Sequence, residues 1–105
     1  MVVEDKKSQK TLLQNINSHP LDPLSLDEIT KSILIVKSKE SLGRELLFET
    51  IMLREPSKKE VLSFKPGDPF SRNVFVVVLN YKEEKLYELD ITLDSEEIIR
   101  CEHIP

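Results

Sequence analysis

The chain has 105 residues, the size of one domain, with charged residues at 32% and a net charge of -4. Lys and Arg are scattered among Asp and Glu, which gives no electrostatic basis for binding nucleic acid or an anionic membrane surface. One cysteine excludes an internal disulfide, no apolar run reaches membrane-spanning length, and the charged start from Met1 to Lys10 lacks the apolar core of a secretory signal, so an intracellular compartment, cytoplasmic or peroxisomal, is expected.

Residues 1–18 open polar and then carry a short helical stripe of Leu12, Leu13 and Ile16. Such a segment is marginal alone in water and is expected to be a flexible arm, with the domain proper at 19–105. The boundary is His19-Pro20-Leu21-Asp22-Pro23-Leu24-Ser25-Leu26-Asp27-Glu28. Pro20 and Pro23 keep the approach extended. Ser25 and Glu28 have capping-box spacing, and Leu24 with Ile29 has that of a hydrophobic staple. A helix is predicted from Leu26 to Lys39, with Leu26, Ile29, Ile33 and Val36 as its buried stripe, widened by Leu34 and Ile35. Gly43 marks the turn after it.

Glu45 to Glu55 reads as a strand. Strict alternation puts Leu47, Ile51 and Leu53 on one face and Leu46, Phe48 and Met52 on the other. Both faces are apolar, which suits cover on both sides. Pro56 ends the strand, Ser57 caps a short helical turn through Leu62, and Lys65-Pro66-Gly67-Asp68-Pro69 is a loop. Val74 to Leu79 is a continuous apolar run rich in β-branched Val, as in a central strand. Lys85 to Leu93 alternates, with Tyr87, Leu89, Ile91 and Leu93 on one side. Glu97 to His103 is the last strand. The short links between these three strands imply an antiparallel meander. The predicted architecture is α+β: one long helix on a four-stranded antiparallel sheet.

Several of these segments, in this order, carry a resemblance. His19-Pro20-Leu21-Asp22-Pro23-Leu24-Ser25 comes first, then Ile35-Val36-Lys37-Ser38, Phe48-Glu49-Thr50-Ile51-Met52-Leu53-Arg54-Glu55-Pro56 and Lys59-Glu60-Val61-Leu62. Phe75-Val76-Val77-Val78-Leu79 and Glu102-His103-Ile104-Pro105 follow. Together they resemble the peripheral N-terminal domain of copper amine oxidases, also called primary-amine oxidases. The resemblance implies a cystatin-like α+β fold. For the full family enzyme it implies oxidative deamination of primary amines to aldehyde, ammonia and hydrogen peroxide by copper and a tyrosine-derived quinone. It also implies a homodimer made by a large C-terminal domain, and the remainder of the oxidase chain as this domain's partner.

The family's quinone arises from Tyr in Thr-x-x-Asn-Tyr-Asp/Glu, and its copper is held by a His-x-His pair and a third His. Here Asn80-Tyr81 has Val77 in place of Thr and Lys82 in place of the acid, and His19 and His103 are the only histidines. Asn80 and Tyr81 are therefore read as a turn Asn and a partly exposed Tyr. Cys101 and His103 share a strand face, and both could bind zinc or copper, but no third ligand is placed; a half-buried Cys and a sheet-end His are expected. No neighbour of Cys101 is placed to activate it as a nucleophile, and Glu102 should raise its pKa. Asp22, Asp27 and Glu28 fit capping and turn chemistry, Lys58 and Lys59 a solvated face, and Lys65-Pro66-Gly67-Asp68-Pro69, with one Gly, lacks a phosphate-cradling pattern. No catalytic, cofactor-binding or metal residue is assigned, and no cofactor is expected in this chain. The expectation is a non-catalytic piece: a fragment, a truncated gene product or an excised domain. The alternative is a free-standing protein-interaction module without oxidase activity; it would not inhibit proteases, since no Gln-x-Val-x-Gly loop is present. With its neighbour absent, Leu46, Phe48, Met52 and the arm residues should drive self-association, relieved by Phe48→Ser.

Overall fold

The structure, a computed structural model, describes residues 18–105. The expected arm therefore lies outside the described residues, Ser18 excepted. The described chain is helix α1 (Leu26–Lys37), a 3-10 turn (Glu40–Leu42), strand β1 (Leu46–Leu53), a short helix α2 (Lys58–Ser63), and strands β2 (Asn73–Asn80), β3 (Lys85–Thr92) and β4 (Glu97–Ile104). The strands form one antiparallel sheet in the order β1-β2-β3-β4. This is the helix-on-meander architecture that the patterning predicts.

Helix α1 starts where the capping chemistry puts it. The Ser25 hydroxyl accepts the Glu28 N–H at 3.1 Å, and a Glu28 carboxylate oxygen accepts the Ser25 N–H at 3.0 Å. The helix stops at Lys37, two residues before the expected Lys39. Ser38 caps its C-terminus, with its hydroxyl donating to the Ile35 carbonyl at 2.6 Å, and Lys39 has already turned extended.

The buried face of α1 is rotated from the expected stripe. Ser32, Ile35 and Val36 are buried, whereas Leu26 is 78% exposed and Leu34 63% exposed. The missing piece is Ser32. Its hydroxyl donates back to the Glu28 carbonyl at 2.8 Å, which satisfies it within the helix and lets a small residue face the sheet. Around it the core joins Ile35, Val36 and Leu42 to Val74, Val76 and Val78 of β2, Leu89 and Ile91 of β3, and Leu93.

Strand β1 departs from strict alternation. Phe48 pairs with Val78 and Thr50 with Val77, so Glu49 is an extra residue in a β-bulge. Beyond the bulge the facing is reset. Leu46, Phe48, Ile51 and Leu53 lie over the core-facing side of β2, and Leu47 and Met52 point away, at 54% and 52% exposed. The expected grouping of Leu46 and Phe48 with Met52 is thus corrected: one inserted residue shifts the period-2 phase. A second bulge, at Ile99, interrupts β4.

Candidate functional site

The His19–Glu28 stretch is held by a residue that the sequence patterning does not single out. Arg72, at the entry to β2, is 5% exposed. Its guanidinium donates to both Glu28 carboxylate oxygens at 2.9 Å and to the carbonyls of Pro20 (3.0 Å), Asp22 (2.8 Å) and Pro23 (3.2 Å). The segment before α1 is not extended throughout as Pro20 suggests: it turns at Pro20 and Leu21, where the Asp22 N–H donates to the His19 carbonyl at 3.0 Å. It lies outside helix and ladder, and the five donors of one arginine take up its Pro20, Asp22 and Pro23 carbonyls. Asp22 in turn accepts the Ser18 and His19 N–H groups at 2.8 and 3.0 Å. The His19 ring meets Phe64 edge-on at 5.1 Å, and Phe64 meets Phe70 at 5.5 Å. Asp22 and Glu28 therefore do capping and clamping work. Asp27 lies on a shallow groove along α1 with Lys31 and Glu96, which form an exposed ion pair at 3.5 Å. Arg72 left one sequence signal: it is the only charged residue between Pro69 and Asn80. A lone charge at the mouth of a buried strand needs partners.

Asn80 is 2% exposed, more deeply buried than a turn residue is expected to be. Its amide donates to the Leu42 carbonyl at 2.8 Å, and its side-chain oxygen accepts the N–H groups of Lys82 (3.1 Å) and Glu83 (2.9 Å). It ties the β2–β3 turn to the 3-10 turn across the sheet end. Tyr81 beside it is 58% exposed, and its N–H donates to the Glu45 carbonyl at 3.0 Å.

Cys101 is half-buried, opposite Leu89 on the core-facing side, and His103 is exposed opposite Tyr87, with ring centroids 5.5 Å apart. Burial pushes the Cys101 thiol up, and the positive charges of Lys39 and Arg100 draw it only part of the way back. Burial, not the expected Glu102, is the cause, since Glu102 points to the opposite face. Among the described residues no group of three or more His, Cys, Asp or Glu side chains is placed to hold a metal ion. These residues do not fit a copper centre. Lys58 and Lys59 are exposed on α2, and the Lys65–Asp68 loop is closed by the Asp68 carboxylate accepting the Lys65 N–H at 2.8 Å.

The sheet face away from α1 carries an ionic network centred on Asp90. Arg54 donates to one Asp90 oxygen through Nε (2.9 Å) and Nη2 (2.6 Å), and Arg100 to the other through Nε (2.7 Å). Arg100 also donates to Glu102 at 2.8 Å and faces Glu88 at 3.5 Å. The Arg54 guanidinium lies 4.5 Å above the Phe75 ring. Burial opposes the ionised form of Asp90, but the two arginines outweigh it and hold the carboxyl below its usual range.

What these parts define is a small α+β domain whose buried polar groups serve the fold and whose described surface assembles no metal centre. Residues 19–103 match the family model described as "Copper amine oxidase, N2 domain", and the chain belongs to the copper amine oxidase family through this domain. It is 31% identical over 78 residues to "Primary amine oxidase" of Arthrobacter sp. (strain P1), covering 74% of this chain and 12% of that protein. It is 40% identical over 91 residues to "Primary amine oxidase 1" of Arabidopsis thaliana, covering 79% of this chain and 14% of that protein. "Copper amine oxidase 1" of Schizosaccharomyces pombe (strain 972 / ATCC 24843) is 31% identical over 91 residues, covering 83% and 13% respectively. The chain thus spans a small part of the length of the curated relatives it matches. No helix among the described residues is long and apolar enough to cross a membrane.

Proposed function

We propose that residues 19–105 act as a non-catalytic peripheral domain of a copper- and quinone-dependent primary-amine oxidase. The whole enzyme would deaminate primary amines oxidatively to aldehydes, releasing ammonia and hydrogen peroxide. Copper and the tyrosine-derived quinone would be supplied by regions outside this chain, and the partner of this domain would be the remainder of the oxidase, itself a homodimer. The observation that carries this reading is the N2-domain match over 19–103, alongside similarity to amine oxidases of which the chain covers only 12% to 14%. The environment of Tyr81 supports it. Its neighbours Val77 and Lys82 break the quinone-forming pattern, and the described residues bring no cluster of metal ligands to it.

A free-standing interaction module is the competing reading, and one observation favours it. The nine core residues close on one another from α1, the 3-10 turn and the sheet, so the fold has a core of its own. The transcript beyond Pro105 separates the two. The oxidase reading expects an open frame that reaches an Asn-Tyr-Asp/Glu motif and a His-x-His pair. A stop codon followed by unrelated sequence would favour the module.

A further inference from the structure

The strand register shows how the sheet face away from α1 is laid out. Leu47, Leu79, Leu86 and Ile104 are successive partners across all four strands and form one apolar row. The next row is Thr50, Val77, Glu88 and Glu102, and the third is Met52, Phe75, Asp90 and Arg100. The face is therefore divided: apolar at the end holding the β2–β3 turn, ionic toward the other end and the β4 side, with Phe75 and Met52 beside the network. Helix α1 supplies the core on the opposite side, and α2 lines a pocket with Pro20, Phe64 and Phe70. Four strands of eight residues give a face of roughly 20 by 26 Å, about 500 Å².

We infer that this face is the surface by which the domain docks onto the remainder of a primary-amine oxidase chain. This rests on the peripheral-domain reading above. Area argues for a neighbour in the same polypeptide over a second copy of the domain. Covering this face buries about 1,000 Å² counted on both sides, within the roughly 600–1,500 Å² of interfaces between domains of one chain. An obligate homodimer needs about 2,000 Å² or more, and its interface is more hydrophobic. Composition argues the same way, because interfaces between domains are more polar than obligate ones, and this face carries Arg54, Asp90 and Arg100 at the end away from its apolar row. The edges are less suited to docking. Bulges at Glu49 in β1 and Ile99 in β4 interrupt both edge strands, a device that discourages strand addition. The neighbour this layout fits presents an apolar ridge to the Leu47–Ile104 row and hydrogen-bonding groups to the network.

The test compares two molecules by hydroxyl-radical footprinting. One is the 105-residue chain alone. The other is the Arabidopsis primary amine oxidase with its matched segment replaced by residues 19–103 of this chain. Met52, Leu79 and Leu86 report on the sheet face, and Leu26 and Leu34 on the exposed side of α1. The inference expects labelling of the first three to fall several-fold in the chimera, with Leu26 and Leu34 unchanged. It also expects Leu79→Glu with Leu86→Lys, an opposite-charge cross-strand pair, to make the grafted domain releasable by protease while leaving the melting curve of the free chain near that of wild type. Protection of Leu26 and Leu34 with Met52 still labelled would overturn the assignment of the face and leave the peripheral-domain reading intact. A wild-type graft that protease frees as readily as an unattached domain would overturn both. A tight dimer of the free chain that shields Met52 would overturn the choice of partner and assign the face to a second copy.

Discussion

Arg72 is the residue on which the entry to the domain depends. Its guanidinium is nearly excluded from water and paired with Glu28. Breaking such a pair from one side strands a buried charge and typically costs about 3–5 kcal/mol. Arg72→Ala should therefore lower the urea midpoint sharply, and Arg72→Lys should not restore it, since an ammonium cannot span two carboxylate oxygens and three carbonyls at once. Removing both charges, with Arg72→Met and Glu28→Gln, should recover part of the loss in a double-mutant cycle. The cap beneath this clamp contributes less: Ser25→Ala should cost about 1 kcal/mol. Asp90 makes a pH-dependent contribution. Its folded pKa lies below its unfolded value, so its stabilisation is complete above the unfolded value, about pH 4, and is lost as pH falls through the folded one. Denaturant titrations on either side of pH 4 should show Asp90→Asn with a flatter acid limb than wild type. Ser25 and Glu28 were legible from spacing, because a cap is a local contract among four residues. Arg72 was not, because its partners lie 44 to 52 positions away and only the fold joins them.

At the scale of the element, β1 shows why periodicity misleads. The sequence Leu46-Leu47-Phe48-Glu49-Thr50-Ile51-Met52-Leu53 is apolar on both faces of an ideal strand, so nothing in it announces an extra residue. The bulge at Glu49 resolves it by turning Leu46 and Phe48 toward the core beside Ile51 and Leu53. Phe48→Ser should then destabilise the fold, and could not serve to relieve self-association in a folded chain. Leu47→Ser, on the exposed face, should stay within about 0.5 kcal/mol of wild type. Chemical denaturation of the two variants checks the inversion. The α1 stripe was misplaced for a related reason: a hydrophobicity pattern passes over Ser32, whose polarity is absorbed within its own helix. The 3-10 turn after α1 is tied by Gly43, at φ 85° and ψ -176°, a region open almost only to glycine. A Cβ there would also stand 2.6 Å from the Asn80 amide nitrogen. Gly43→Ala should cost about 1–3 kcal/mol from backbone strain, with further loss if Asn80 is displaced, read as a lowered melting temperature.

For the whole molecule, the meander and its helix were legible because three alternating or β-branched runs stand close together and a capped amphipathic segment precedes them. Among the described residues, the side chains that the family resemblance first suggests for a quinone or copper site are held in structural roles. Asn80 is occupied by Leu42, Lys82 and Glu83, and Tyr81 sits at a solvent-facing turn. Cys101 is packed against the core, with its thiol pKa raised by burial. Alkylation of Cys101 near neutral pH should be slower than that of a free thiol, with a midpoint displaced upward, and should speed up on unfolding. The central claim is that the domain belongs to an amine oxidase but does no amine chemistry itself. The purified chain, incubated aerobically with copper, should give neither a redox-cycling quinone stain nor hydrogen peroxide from primary amines. A copper-dependent stain together with peroxide, both abolished by Tyr81→Phe, would contradict it.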